Sequence, residues 1–325
     1  MVRILSDADV ASVLEIESLL PVVRDAFVKQ GRGDVERPDR PHFPVGAGLA
    51  GDAPLGTGLV MPAYIHGAAH YATKLVGVHG GNADRGLPTV NAQIALTDAE
   101  TGRPAAFVAG TRITNARTGC IGGLAAADLA AATPIQLAVI GAGTQARWQA
   151  RCIAAATDVE SIRVYSPSDS KLVCAAELES ELGIPTTPVE SADEAVADAT
   201  VVVTATTATS PVFSGESLQS GTLVIAVGAY SAEMRELDRE TFARADETFG
   251  DVPEEVAEIG DVRATDLDAD DFVPLSDVFE GSDGRSSDSE IVVVESVGSA
   301  VLDAAASELV FERASEAGTG EEVEL

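Results

Sequence analysis

Lysine is almost absent from this chain, and one of the few it keeps stands where an apolar residue belongs. Only Lys29, Lys74 and Lys171 are lysine, and Lys74 interrupts the β-forming run HYATKLVGV from His70 to Val78. An ammonium inside an apolar strand is costly unless paired or wet. Lys74 is therefore either a working group or a charge that keeps an exposed edge strand from aggregating. A second cation, Arg117, falls in TRITNARTGC, three residues after Thr114. On a helix both face one side, close to an N-terminus that favours anions. That suits a carboxylate site, or an arginine on a solvated helix face. The third feature is IQLAVIGAGTQARWQA, Ile135 to Ala150. Its G-x-G-x-x-A pattern is a dinucleotide-binding turn: Gly141 permits the tight bend, Gly143 lets a pyrophosphate reach the backbone, and small Ala146 lets helix and strand pack closely. Such a pattern is weak alone. The apolar strand before it, the helix after it and a second strand about twenty residues on strengthen it.

The elements around these residues follow from period and punctuation. A strand is expected at 2–5, then Ser6 as cap of a helix starting at Asp7, then a helix over 17–30 stopped by Gly31 and Gly33. The Pro- and Gly-rich segment 34–58 reads as a solvated connection or a substrate loop, and carries Arg37 and Arg40. Strands are expected at 58–64 and 70–78, a hairpin from 88–96 and 104–109 around AETG, and an Ala-rich helix over 111–132. From Pro134 strands at 135–140, 161–165, 200–204, 223–227 and 290–295 alternate with helices, which specifies a parallel, doubly wound sheet. A helix over 297–313 and a frayed tail from Ala314 complete the chain.

Composition excludes several functions. The net charge of −31, from 52 acidic and 21 basic residues, repels nucleic acid and anionic membranes, and reads as a solvated surface adapted to high salt, with an anionic interaction surface as the alternative. No apolar run approaches eighteen residues and no cleavable signal opens the chain, so a soluble cytoplasmic protein is expected. Cys120, Cys152 and Cys174 lack metal-like spacing. His66 and His70 sit four apart across a glycine with no third ligand nearby, so no metal is expected. Redox chemistry on a bound nucleotide is the best chemical reading.

Taken together, MPAY (61–64), Lys74, GLPTVNAQIALTDAETGRPAA (86–106), TRITNARTGC (111–120), VIGAGTQAR (139–147), VVTAT (202–206), VGAYSAEMRELD (227–238) and ESVGSAVLD (295–303) resemble the ornithine cyclodeaminase/mu-crystallin family. The resemblance covers most of the chain. It implies an α/β protein: a Rossmann dinucleotide-binding domain over 113–295, and an α+β substrate and dimerisation domain from 1–112 with the C-terminal helix, 296–325. A homodimer is the implied assembly.

The same resemblance implies roles. Lys74 matches the active-site lysine, Arg117 the carboxylate-binding arginine, and Arg40, or alternatively Arg37, the N-terminal substrate arginine. Thr89 and Thr114 match positions near the cofactor. Gly141, Gly143, Thr144, Gln145 and Ala146 match the pyrophosphate loop, with Thr204, Ala205, Val227, Gly228, Ser296 and Gly298 bordering the cofactor. At the end of the second Rossmann strand Ser166 and Ser168 replace the usual acidic residue, and Lys171 lies close enough to neutralise a 2′-phosphate, so NAD(P)H is expected with NADPH at least as good as NADH. One departure matters: Tyr230 stands where cyclodeaminase and alanine dehydrogenase members carry an aspartate, and a phenol of pKa about 10 cannot act as a carboxylate base near neutrality. The expected reaction is therefore reduction of a small imino acid such as Δ1-pyrroline-2-carboxylate, with Lys74, Arg117 and Tyr230 as catalytic residues. Alanine dehydrogenation, ornithine cyclodeamination and non-catalytic nucleotide binding follow as alternatives.

Overall fold

Alternation builds the first sheet. Along His70–Val78 the residues Ala72, Lys74 and Val76 are buried while Tyr71 and Leu75 are exposed, the period of a strand with one covered face. The computed structural model describes residues 1–49 and 51–324. It divides into two compact units, one from the N-terminal residues up to Arg117 with those from Ala300 onward, the other from Thr118 to Ser299. The divisions thus fall at 117 and 299, where 112 and 295 were expected; the first lies inside the continuous helix Gly110–Leu129.

In the first unit the strands Glu321–Val323, Val2–Leu5, Pro104–Ala109, Val90–Asp98, His70–Val78, Gly56–Ile65 and Val35–Glu36 lie side by side in that order, with His42–Val45 also paired to Gly56–Ile65. Pairing is antiparallel except between Val2–Leu5 and Pro104–Ala109. The strand of Lys74 is thus central, which removes the edge-strand explanation for that residue. The helices Ile16–Gly31 and Ala300–Ala317 pack together, and the second covers the strands Gly56–Ile65 and His70–Val78. Ser6 caps the helix Asp7–Val13 in a reciprocal box with Asp9, as its position implies.

Two expectations are corrected. The tail is not frayed over its described length: the last helix continues to Ala317, and Glu321–Val323 pairs with Val2–Ile4 while Arg3 binds the Thr319 carbonyl at 2.6 Å and Glu322 at 2.7 Å. Pairing supplies the backbone bonds that a polar, Gly-containing sequence does not advertise; Leu325 lies outside the described residues. The segment 34–58 is likewise not all connection, since two short strands in it pair to Gly56–Ile65; Ala50 lies outside the described residues.

The second unit is the expected parallel sheet. Its strands run Thr186–Pro188, Val159–Tyr165, Ile135–Ile140, Val201–Thr204, Leu223–Ala226, Val292–Glu295, Glu247–Gly250, Val273–Pro274, every pairing parallel. Val201–Thr204, Leu223–Ala226 and Val292–Glu295 are buried at every position, as in a sheet covered on both faces. Ile140, Val202, Val224 and Val293 share a core with Phe242 and Ile259. Burial of each such side chain contributes roughly 1.5–3 kcal/mol, so the strand ends stand on a rigid floor. Strand order reverses between Ile135–Ile140 and Val201–Thr204. A crevice at such a switch point is where open α/β sheets hold their ligands.

Candidate active site

Lys74 sits where the first sheet should hold a Val or Ile. Its neighbours across the sheet are Met61 and Ile94, both buried, and Lys74 is itself 2 % exposed. Uncompensated, an ammonium there costs several kcal/mol. Its partner comes from the C-terminal helix: Nζ donates to Asp303 Oδ2 at 2.5 Å, and Asp303 is 1 % exposed. Arg117, on Gly110–Leu129, donates from Nε to the other oxygen at 3.1 Å, and Thr114 Oγ1 lies 3.4 Å from the same atom. Thr114, expected at the cofactor, thus turns its hydroxyl to Asp303. Thr89 is half-buried and its carbonyl accepts from the His79 amide at 2.8 Å.

Electrostatics sets the state of these groups. Burial lowers the Lys74 pKa, Asp303 raises it, and Arg117 and Arg40 lower it, leaving it at about 8. Burial pushes Asp303 up, but Arg117 and Lys74 outweigh it and hold the carboxyl below its ordinary range. The charge of Arg40 is among those that act on Lys74. Two cations, Lys74 and Arg117, thus share the Asp303 carboxylate in a chain of net charge −31. Moreover Arg117, 4 % exposed, has Nη1 buried with no partner among the described residues. A buried guanidinium nitrogen without an acceptor is expensive, and a ligand carboxylate would satisfy it.

In the second unit, Gly141 takes φ +120°, and a Cβ there would lie 2.5 Å from the Ala205 carbonyl oxygen. Gly143 precedes the helix Thr144–Ala156, offers it no side-chain cap, and faces open space where a Cβ would be. The first amides of that helix are left for a ligand. Gln145 Oε1 is buried without a partner among the described residues, and Ala146 packs fully buried. A dinucleotide pyrophosphate fits this turn.

At the end of Val159–Tyr165 the hydroxyls of Ser166, Ser168 and Ser170 lie 2.7–3.5 Å from one another. Lys171, expected beside a 2′-phosphate, has partners of its own. It is buried and its ammonium donates to the Val189 carbonyl at 2.9 Å and to Glu190 at 3.0 Å. Buried Glu236 ties together the strand ends expected at the cofactor: it accepts from Thr204 Oγ1, the Thr206 amide and the Gly228 amide at 2.9, 2.6 and 2.8 Å, and burial raises its pKa to about 7. Asp251 does the same for Ser296 Oγ, the Val297 amide and the Gly298 amide. Ala205 is buried and Val227 half-buried beside these turns. Tyr230 is 45 % exposed and burial of its ring raises the phenol pKa. Among the described residues no group of His, Cys, Asp and Glu is placed to hold a metal, and no helix is long and apolar enough to cross a membrane.

Residues 2–318 match the ornithine cyclodeaminase/mu-crystallin family. The chain belongs to that family. A Δ1-pyrroline-2-carboxylate reductase of Bacillus cereus is 35 % identical over 277 residues, covering 83 % of this chain and 85 % of the relative. The structure of Thermococcus litoralis Δ1-pyrroline-2-carboxylate reductase with NADH and L-proline is 32 % identical with a TM-score of 0.92, covering 99 % of this chain and all of that one. An archaeal alanine dehydrogenase dimer with bound NAD is 28 % identical, TM-score 0.89, covering 100 % of this chain and 99 % of its own. Members similar to this chain are thus oxidoreductases that use a nicotinamide cofactor, and so is this protein.

Three acids escape a reading of the sequence. Asp303 closes the motif ESVGSAVLD, and its signal is an acid between two apolar runs of one helix. Glu236 and Asp251 lie in a region so rich in acids that their burial has no mark in the sequence.

Proposed function

We propose that this protein reduces the C=N bond of a small cyclic imino acid, Δ1-pyrroline-2-carboxylate or a close ketimine, to the corresponding amino acid. The observation that carries the reading is the buried cationic cluster, in which Arg117 Nη1 awaits an acceptor beside a lysine of pKa about 8. The named activity of the Bacillus relative and the proline in the Thermococcus structure support the same substrate class. Arg117 binds the substrate carboxylate with the far end of its guanidinium, a fork suited to that geometry, and Arg40 adds a second positive charge. Lys74, mostly an ammonium at neutral pH, donates a proton to the ring nitrogen. The nicotinamide, when bound, supplies the hydride that the imine carbon receives. Carbon and nitrogen so gain one hydride and one proton, and the C=N bond becomes a C–N bond. Tyr230 keeps its proton, so the base that cyclodeamination requires is missing from that position.

The cofactor expectation shifts with Lys171. Since Glu190 already neutralises it, a 2′-phosphate gains little, and NADH serves at least as well as NADPH. For assembly, the outer face of the first unit's sheet is the natural seat of a second copy. Ile4, Tyr71, Leu75 and Phe107 are exposed there, and the outward positions of Gly56–Ile65, His70–Val78, Val90–Asp98 and Pro104–Ala109 hold no Asp, Glu, Lys or Arg. In so acidic a chain, a charge-free face is the one along which two copies can meet without repulsion.

The test is oxidation of reduced cofactor, in high salt, with Δ1-pyrroline-2-carboxylate, with its six-membered homologue, and with pyruvate plus ammonia. Turnover with the cyclic imines supports the reading. Turnover confined to pyruvate and ammonia would make the protein an alanine dehydrogenase, and none with any substrate would favour a nucleotide-binding role.

A further inference from the structure

Asp303 has no role in the chemistry so far, yet it is the one carboxylate among the groups that set the state of Lys74. Across the sheet, Lys74 is paired with the apolar Met61 and Ile94. From the helix Gly110–Leu129 come Arg117 and the neutral Thr114, and from the segment before His42 comes Arg40. Burial and both arginines oppose a charge on Lys74; Asp303, hydrogen-bonded to its Nζ, favours it. Its own charge is held by Arg117 Nε, by Lys74 Nζ and by its place in the first turn of an eighteen-residue helix, where a carboxylate is favoured.

We infer that Asp303 is a positioning residue for the reduction: it holds Lys74 as the ammonium and grips Arg117 by Nε, so that the guanidinium offers its Nη end to the substrate carboxylate. The inference rests on the reading of Lys74 as proton donor. When Lys74 gives its proton to the ring nitrogen, the Nζ–H bond breaks and an N–H bond forms on the product. Asp303 stays ionised, held by Arg117 and Thr114, and solvent reprotonates Lys74 for the next turnover. Without Asp303, burial and two neighbouring cations act on the lysine unopposed, and it would enter the cycle already deprotonated.

The scarcity of lysine makes this measurable. With three lysines in the chain, protein labelled with carbon-13 at lysine Cε gives three resonances, and Lys74→Gln identifies that of Lys74. In the wild type it should titrate near the pKa of about 8. In Asp303→Asn the midpoint should fall by roughly 1–3 pH units, the effect of one adjacent opposite charge, while Lys29 and Lys171 stay put. The limb along which kcat/KM declines with rising pH should move by the same amount, and Asp303→Glu, which keeps the charge, should largely restore it. The substrate's own ionisation is common to every variant and cancels. An unmoved Lys74 midpoint in Asp303→Asn overturns the assignment of Asp303 while leaving the site reading standing. A midpoint that moves without the kinetic limb overturns Lys74 as donor, and with it the part of Asp303 in keeping that proton. Should Asp303→Asn not fold, the wild-type titration decides: a midpoint near 8 supports the inference and one below neutrality overturns it.

Discussion

Arg117→Lys separates charge from geometry at the proposed carboxylate clamp. The substitution keeps the positive charge beside Lys74, so the pH behaviour of that lysine should change little. What it removes is the ability to hold two anions at once. Arg117 uses Nε on Asp303 at 3.1 Å and has Nη1 buried without a partner among the described residues. A shorter, compact ammonium at a position 4 % exposed satisfies Asp303 or the substrate, not both. One charge-assisted hydrogen bond contributes about 1.5–3 kcal/mol. At about 1.4 kcal/mol per decade, its loss lowers kcat/KM for Δ1-pyrroline-2-carboxylate roughly 10- to 150-fold. The assay is steady-state reduction at saturating NADH, with cofactor affinity followed by fluorescence and expected to hold. An analogue with a carboxamide for the carboxylate completes a double-mutant cycle: the variant should lose little further with it. If kcat/KM stays within about twofold of wild type, or if the carboxamide suffers the same loss, the clamp lies elsewhere.

Gly141→Ala should weaken NADH binding roughly 5- to 150-fold by titration, because its Cβ would lie 2.5 Å from the Ala205 oxygen at a φ of +120°, and strain of about 1–3 kcal/mol is ordinary for such a conformation; unchanged affinity would detach the turn from the cofactor. Leu75→Asp with Phe107→Asp, placing acids on the uncharged sheet face, should halve the mass seen by sedimentation; a wild type that is already monomeric removes that interface. Thermal stability should rise as salt increases toward about 1 M, where the Debye length shortens to about 3 Å, and a midpoint that falls with salt counts against adaptation to it. Stability should also be greater at pH 5 than at pH 8. Burial raises Glu236 to about 7 and Asp261 to about 6, so the folded chain binds protons that the unfolded chain has released at ordinary carboxylate values near 4. Stability from these groups is present at low pH and is lost as pH rises through about 7. Glu236→Gln should flatten that slope, and a transition temperature that climbs from pH 5 to pH 8 would refute the argument.

What the sequence discloses and what it hides have one physical cause. His70–Val78 is legible to the residue because alternation with one covered face leaves a period in the text, and Ile135–Ile140 because an apolar run ends on a glycine turn. Lys74 declares itself by breaking a period. Strands such as Thr186–Pro188, Glu247–Gly250 and Glu321–Val323 are short and partly polar, and exist because a neighbouring strand offers backbone partners, which no local pattern records. Asp303 and Glu236 are hidden for a related reason. Their burial is granted by groups far away in the chain, Lys74 at a separation of 229 residues and Thr204 at 32, while 52 acids surround them in the text. Lys171 shows the converse: a cation near the right strand suggests a phosphate partner, while the fold also sets Glu190, two residues past the strand Thr186–Pro188, 3.0 Å from its ammonium. Arg117 is held through Nε on Asp303, and its Nη1 is buried without a partner among the described residues. Arg117 Nη1 is therefore informative. With dozens of carboxylates in the chain, none among the described residues reaches that nitrogen, and the acceptor it lacks is one the substrate can supply.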